Sequence, residues 1–303
     1  MKGFAKALVC VATVVLMVPT LVSAQDEARG WTFSQRFQGS SNVVGTVLKT
    51  NSTLGYRFNR YVEAYGGVPV YFVRDSNNKA NGVGNVYSGL LMSVDNRAVN
   101  FSSDLVFTAP TGDKDRGFST GKATVDWSNS LSHSFSIFTP FVGAGAANTI
   151  SDTSFFVRPF SSKGMVGHFE GGAMLDIAPR VSIGASGYGV RAVGEQQIVS
   201  KVVEQPASSS STSQQQASQV PQTPAQGVLQ GLGLGQQRQP QNQGVFETRQ
   251  ETVGAAEIAN DHGVSTWFSI RPGGRTDFQL GFSRSVRYQL NSVFFGMGVR
   301  VGH

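Results

Sequence analysis

Residues Tyr288–His303 read YQLNSVFFGMGVRVGH. Val293, Phe295, Met297, Val299 and Val301 take every second position, and Gly296, Gly298, Arg300 and Gly302 lie between them. A period of two sends alternate side chains to opposite faces of a β-strand. Three glycines and an arginine carry too little volume to fill a packed interior, so the apolar row must be buried on the outside. Apolar out with small or polar residues in is the pattern of a transmembrane β-barrel strand. A half-buried strand in a soluble sheet alternates too, so the rest of the chain has to separate the two.

Alternation recurs in twelve segments: 31–38, 43–58, 61–73, 84–95, 98–108, 119–131, 134–147, 165–177, 180–203, 245–271, 275–286 and 289–302. In 119–131, Ala123, Val125, Trp127 and Leu131 oppose Lys122, Thr124, Asp126, Ser128 and Ser130. In 43–58, Val44, Leu48, Leu54, Tyr56 and Phe58 oppose Lys49, Asn51, Thr53 and Arg57. The links between segments differ in kind. Asn59-Arg60, Asn96-Arg97, Ser132-His133, Ala178-Pro179 and Pro272-Gly273-Gly274 are tight. Arg74–Val83, Ala109–Phe118 and Asn148–Gly164 are long and polar or Gly-rich. Short turns on one side and long loops on the other are the sidedness of outer-membrane barrels. The links after segments one and eleven are short on the long-loop side and depart from it. The expected fold is all-β: a single transmembrane antiparallel up-and-down barrel of about twelve strands, within a range of roughly 10–14.

Composition agrees. Charged residues are 15% and hydrophobic residues 40%, with 36 glycines, yet no later run reaches the roughly eighteen apolar residues of a spanning helix. At the N-terminus, Lys2 and Lys6, the apolar Ala7–Val18 and the small-residue site Val22-Ser23-Ala24 read as a cleavable signal peptide over 1–24. The barrel then occupies 25–303. The single cysteine, Cys10, falls inside the signal, so neither disulfides nor thiolate metal sites are expected. Removing Lys2 and Lys6 leaves 23 basic against 19 acidic residues, scattered rather than clustered, and nucleic acid is not an expected partner.

One link stands apart. Residues 205–244 hold 13 Gln, 6 Ser and 4 Pro with Arg238 as the one charge, so they bury too little apolar surface to order. The expectation is a disordered extracellular loop: a tolerated insertion, a sticky tether or a flap over the pore. Its β-prone flanks, 197–203 and 245–253, pair about a centre near 224 in this reading, which sets Val181 opposite Trp267.

Ala109-Pro110-Thr111-Gly112-Asp113 after one strand, Thr139-Pro140-Phe141-Val142-Gly143-Ala144-Gly145 in a later one, and the C-terminal strand carry a family likeness. They resemble the outer-membrane barrel family named for a MetA pathway of phenol degradation, which is similar in architecture to aromatic- and fatty-acid-uptake porins. The resemblance implies transport without a defined substrate. Barrels of that kind end in an aromatic residue, whereas this chain ends in His303. Recognition by the barrel-assembly machinery through the C-terminal strand is therefore expected to use a variant end or Phe295–Val301.

Parity places Lys49, Arg57, Glu63, Asp104, Lys122, Asp126, His168, Glu170, Asp176 and Arg300 on the inner face as pore-lining candidates. Arg57 and Glu63 flank one turn and are expected to pair across it, for about 0.2–1 kcal/mol. The other charges either brace the wall or line a polar channel. Phe155, Phe156 and Phe160 are candidates for a constriction loop dipping into the bore; the alternative is a girdle at the membrane interface. Outer-membrane hydrolases need a Ser–His pair with an orienting group. His133-Ser134 lies at a turn, and no nucleophile neighbours His168, so no enzyme activity is expected. The isolated histidines lack ligand spacing, and neither metal nor cofactor is expected.

The functional expectation is an outer-membrane channel or passive transporter for small-molecule solutes, with hydrophobic or aromatic ones implied by the resemblance alone. A non-transporting structural or adhesive barrel and an outer-membrane lipid hydrolase are the alternatives. The chain is expected to be a monomer in outer-membrane lipid.

Overall fold

The computed structural model describes residues 29–41, 45–75, 79–95, 99–150, 152, 157–201, 251–273 and 275–302. The expected signal, the Gln/Ser-rich loop 205–244, and Phe155 and Phe156 lie outside the described residues. The strands are β1 (Gly30–Ser41), β2 (Gly45–Arg57), β3 (Val62–Asp75), β4 (Lys79–Val83), β5 (Tyr87–Asp95), β6 (Asn100–Thr108) and β7 (Thr124–Ser132). They continue as β8 (Phe138–Ala147), β9 (Phe160–Ala178), β10 (Val181–Ser200), β11 (Glu251–Gly254), β12 (Asp261–Gly273), β13 (Thr276–Ser285) and β14 (Leu290–Gly302). All pairings are antiparallel, and β14 returns to β1 from Gly30↔Gly302 to Ser41↔Asn291, which closes the sheet on itself. Twelve strands form the barrel wall. β4 and β11 add short extensions to β3 and β10 on the long-loop side.

Faces follow the alternation. Trp127 (53% exposed) and Phe295 (40%) point outward, with Phe107, Val142, Met165 and Phe169 in the same band. In water such a belt would be untenable; against lipid it is the buried surface. At the short-turn end Trp31 meets Tyr56 edge-on at 5.1 Å, and Tyr56 meets Phe58 at 5.2 Å. Amphipathic rings at that height fit a membrane–water interface.

Three expectations are corrected. The segment 119–131 becomes strand only from Thr124. Phe118 buries itself stacked on Tyr71 at 5.6 Å and takes the residues up to 123 off the wall, so Lys122 sits in an exposed bend. The continuous strand over 245–271 is broken by a short 3-10 turn, Ala256–Ala259, whose Ala259 is fully buried. Finally, Val181 pairs with Ile270, and Trp267 pairs with Gly184. A shift of three residues changes which side chains share a face, and Trp267, buried between exposed neighbours, points into the lumen. There its ring takes the space a Cβ on Gly184 would occupy and lies 6.1 Å from Phe141.

Candidate functional site

That Trp267–Gly184 contact is repeated around the inner wall. Tyr65 lies over Gly89, Tyr87 over Gly67, Phe294 over Gly281 and His168 over Gly145. Each ring from one strand fills the gap left by a glycine on its neighbour. The lumen of a twelve-stranded barrel is thereby narrowed by side chains lying along the wall rather than across it.

What remains is a cavity of about 1320 Å³ that begins at the short-turn end. Arg180, Arg271, Arg275 and Arg300 line its mouth with Asp176 and Asp277. Further in, Arg36 on β1 faces the cavity from one side, and Glu63, Asp104 and Asp126 on β3, β6 and β7 line another. Its inner end is formed by Tyr71, Phe118, Ile150 and Asp152.

The candidate residues fall into this frame unevenly. Arg57 and Glu63 are in register and 3.0 Å apart, and Thr32 donates to Glu63 at 2.5 Å. The Tyr65 hydroxyl lies 2.8 Å from both carboxylate oxygens of Asp104. His168 and Asp126 are brought together at 2.9 Å across the intervening β8. Glu170 is half-buried on β9 opposite Tyr188. Asp176 lies 3.8 Å from Arg271 at the mouth, and Arg300 lines the same rim. Lys49 lies towards the long-loop end and reaches Asp152 at 3.0 Å. Lys122, in its bend, does not line the cavity.

The long-loop end is packed. Phe160, fully buried, meets Tyr288 edge-on at 5.1 Å within a cluster that includes Ile150, Val190, Ile198 and Leu290. Phe160 thus sits inside the barrel, away from any lipid-facing girdle. Polar groups knit the same region. Asp152 accepts from Tyr71 at 2.5 Å and from the Arg158 backbone N–H at 2.9 Å, and lies 3.5 Å from Lys201. Arg158 pairs with Asp261 at 3.1 Å, with side chains 1% and 0% exposed. Asp261 also accepts from Ser285 at 2.6 Å and Tyr188 at 3.2 Å, and the Ser40 hydroxyl donates to the Val157 carbonyl. Burial pushes the Asp152 carboxyl up, but the Lys201 and Lys49 ammonium groups and two donated hydrogen bonds outweigh it and hold it well below the usual carboxylate range. Burial dominates at Lys201 and draws its ammonium down despite Asp152.

Sequence reasoning missed this network. Asp152 and Arg158 lie in a link with no periodicity, where parity says nothing. Arg36 and Asp261 could have been found, since each shares the inward parity of its strand.

No family model and no curated sequence matches the chain. Among solved structures it is similar to an outer membrane channel from Pseudomonas putida F1, with 10% identity, 94% of this chain and 100% of that chain covered, and a TM-score of 0.56. The NanC porin follows at 8% identity, 89% and 100% coverage and a TM-score of 0.48. The first likeness establishes the class: the fold is that of outer-membrane β-barrel proteins.

Proposed function

We propose that the protein is an outer-membrane channel for small solutes. The observation that carries this reading is the cavity, which opens at the short-turn mouth and runs inside a wall that is apolar towards lipid. It is lined by charges of both signs: the arginines of the mouth stand with Asp176 and Asp277, and Arg36, Asp104 and Asp126 lie further in. Such a lining favours polar or charged solutes, because it offers hydrogen bonds and opposed charge to groups that leave water. Hydrophobic or aromatic solutes, as in the phenol-degradation barrels the sequence resembles, are the competing substrate class. Tyr65 and Tyr87 are the rings such a solute would meet.

Single-channel conductance in planar bilayers tests the reading. Discrete conducting events are expected, and neutralising Asp104 and Asp126 together (Asp104→Asn, Asp126→Asn) should move the reversal potential in a salt gradient towards anion preference. Absence of events both in the natural chain and in Asp152→Asn, which loosens the packed end, would remove the channel reading. Swelling of loaded vesicles in sugars against small aromatics then separates the two solute classes.

The packed long-loop end favours a second reading, a structural barrel that conducts nothing. Insertion as a monomer into outer-membrane lipid, with assembly through β14, is part of the same proposal.

A further inference from the structure

β9 and β10 continue past the wall they belong to. Val190 pairs with Asp261 where β12 begins, yet the β9–β10 ladder runs on to Ser200↔Phe160. Between Val193 and Gln197 its register shifts. At that level Gly164 on β9 and Gly194 on β10 have φ of 145° and 72°, a region that side chains with a Cβ rarely enter. Two such residues on adjacent strands put a crease across the ribbon. The buried Gln196 amide fills the crease, donating to the carbonyls of Met165 at 3.2 Å and Val193 at 3.0 Å. Beyond it the tip turns inward: Ile198, Val199, Ser200 and Lys201 are all buried, and Ile198 packs in the apolar cluster inside the barrel.

The tip is held there by charge. Lys201, next to Ser200 where β10 stops, lies 3.5 Å from Asp152 and donates to the Arg158 carbonyl at 2.9 Å. Asp152 in turn holds Lys49 on β2 and Tyr71 on β3. One carboxylate therefore joins the ribbon tip to the facing wall and keeps two buried ammonium groups together. Removing it leaves those cations opposed in a poorly solvated space, which drives them apart.

We propose that the ribbon tip beyond Gly164 and Gly194 is a hinged lid over the outer mouth, locked by Asp152 between Lys201 on the lid and Lys49 and Tyr71 on the wall. Unlocking it joins the cavity to the outside. This step rests on the channel reading, whereas the lid itself does not.

The test uses the full chain in lipid vesicles, with Cys10→Ser and a reporter, Ile198→Cys, on the buried inner face of the lid. A charged, membrane-impermeant maleimide should label the reporter slowly. Adding Asp152→Asn should raise the labelling rate at least about tenfold, as expected when a buried pair is broken and a local opening becomes populated. The barrel's heat-dependent gel mobility should stay unchanged, and the conducting fraction in bilayers should rise with the labelling. Equal labelling rates in two folded barrels would overturn the lid, whatever the conductance. Faster labelling without conductance would uphold the lid and overturn the channel. If Asp152→Asn does not fold, Lys201→Met, which cuts the lock from the lid's side, must give the same acceleration or the lid is overturned.

Discussion

The two ends of this lumen are built from opposite materials. At the short-turn end the inner wall carries solvated charges around open space, with Arg271 and Asp176 both substantially exposed at 3.8 Å. At the long-loop end Arg158, Asp261, Asp152 and Lys201 are buried, and each is matched by a partner. A charge in a wet cavity is available to a solute, and its pairing is worth little. A charge in a dry plug is committed to its partner and costly to strand. The difference in hydration, more than in residue type, separates a conduit from a closure in one barrel.

Cutting a pair in the dry end should have the largest effect. Arg158→Ala leaves Asp261 buried without its cation and should destabilise the fold by about 3–5 kcal/mol, read from the urea midpoint of refolding into vesicles. Equal loss on Arg271→Ala at the wet end would erase the contrast. The packed tiles come next. A Cβ on Gly184 would collide with the Trp267 ring, so Gly184→Ala should cost about 1–3 kcal/mol in the same assay. The smaller partner Trp267→Phe in the same chain should recover part of it. Smallest is Arg57→Ala, which removes a partly exposed cross-strand pair and should cost about 0.2–1 kcal/mol.

Acid sharpens the contrast from another side. Because Lys201, Lys49 and two hydrogen bonds hold the folded Asp152 carboxyl below its unfolded range, its stabilisation is complete above that range and fades only as pH falls through the depressed value. Divided by the labelling rate of a free thiol at the same pH, which cancels the falling thiolate fraction, labelling of Ile198→Cys should therefore stay flat down to about pH 4, the ordinary carboxylate value, and rise only below it. A rise between pH 7 and 5 would point to some other lock.

Much of this barrel was legible in its sequence, and the legible part has one physical source. A strand between lipid and lumen must alternate, so Val293, Phe295 and Val301 announce their face without reference to any neighbour. The same parity set Arg57 opposite Glu63, because their turn is too short to permit another register. Where that constraint lapsed, so did the reading. Lys122 looked like a wall residue because its neighbours alternate, but Phe118 had left the wall to stack on Tyr71. Val181 was set opposite Trp267 and not Ile270, because residues 256–259 form a turn that no period of two could show.

The sequence by itself determined the barrel, the sidedness of its links and the inward row of charges, since each follows from chain-local rules of alternation and turn length. Which charges stay wet and which are sealed depends on contacts between distant parts of the chain. Asp152 and Arg158 share one link, while Lys201 and Asp261 come from two other stretches of chain. Their partnership exists only once the closed wall brings those stretches together and excludes water around them.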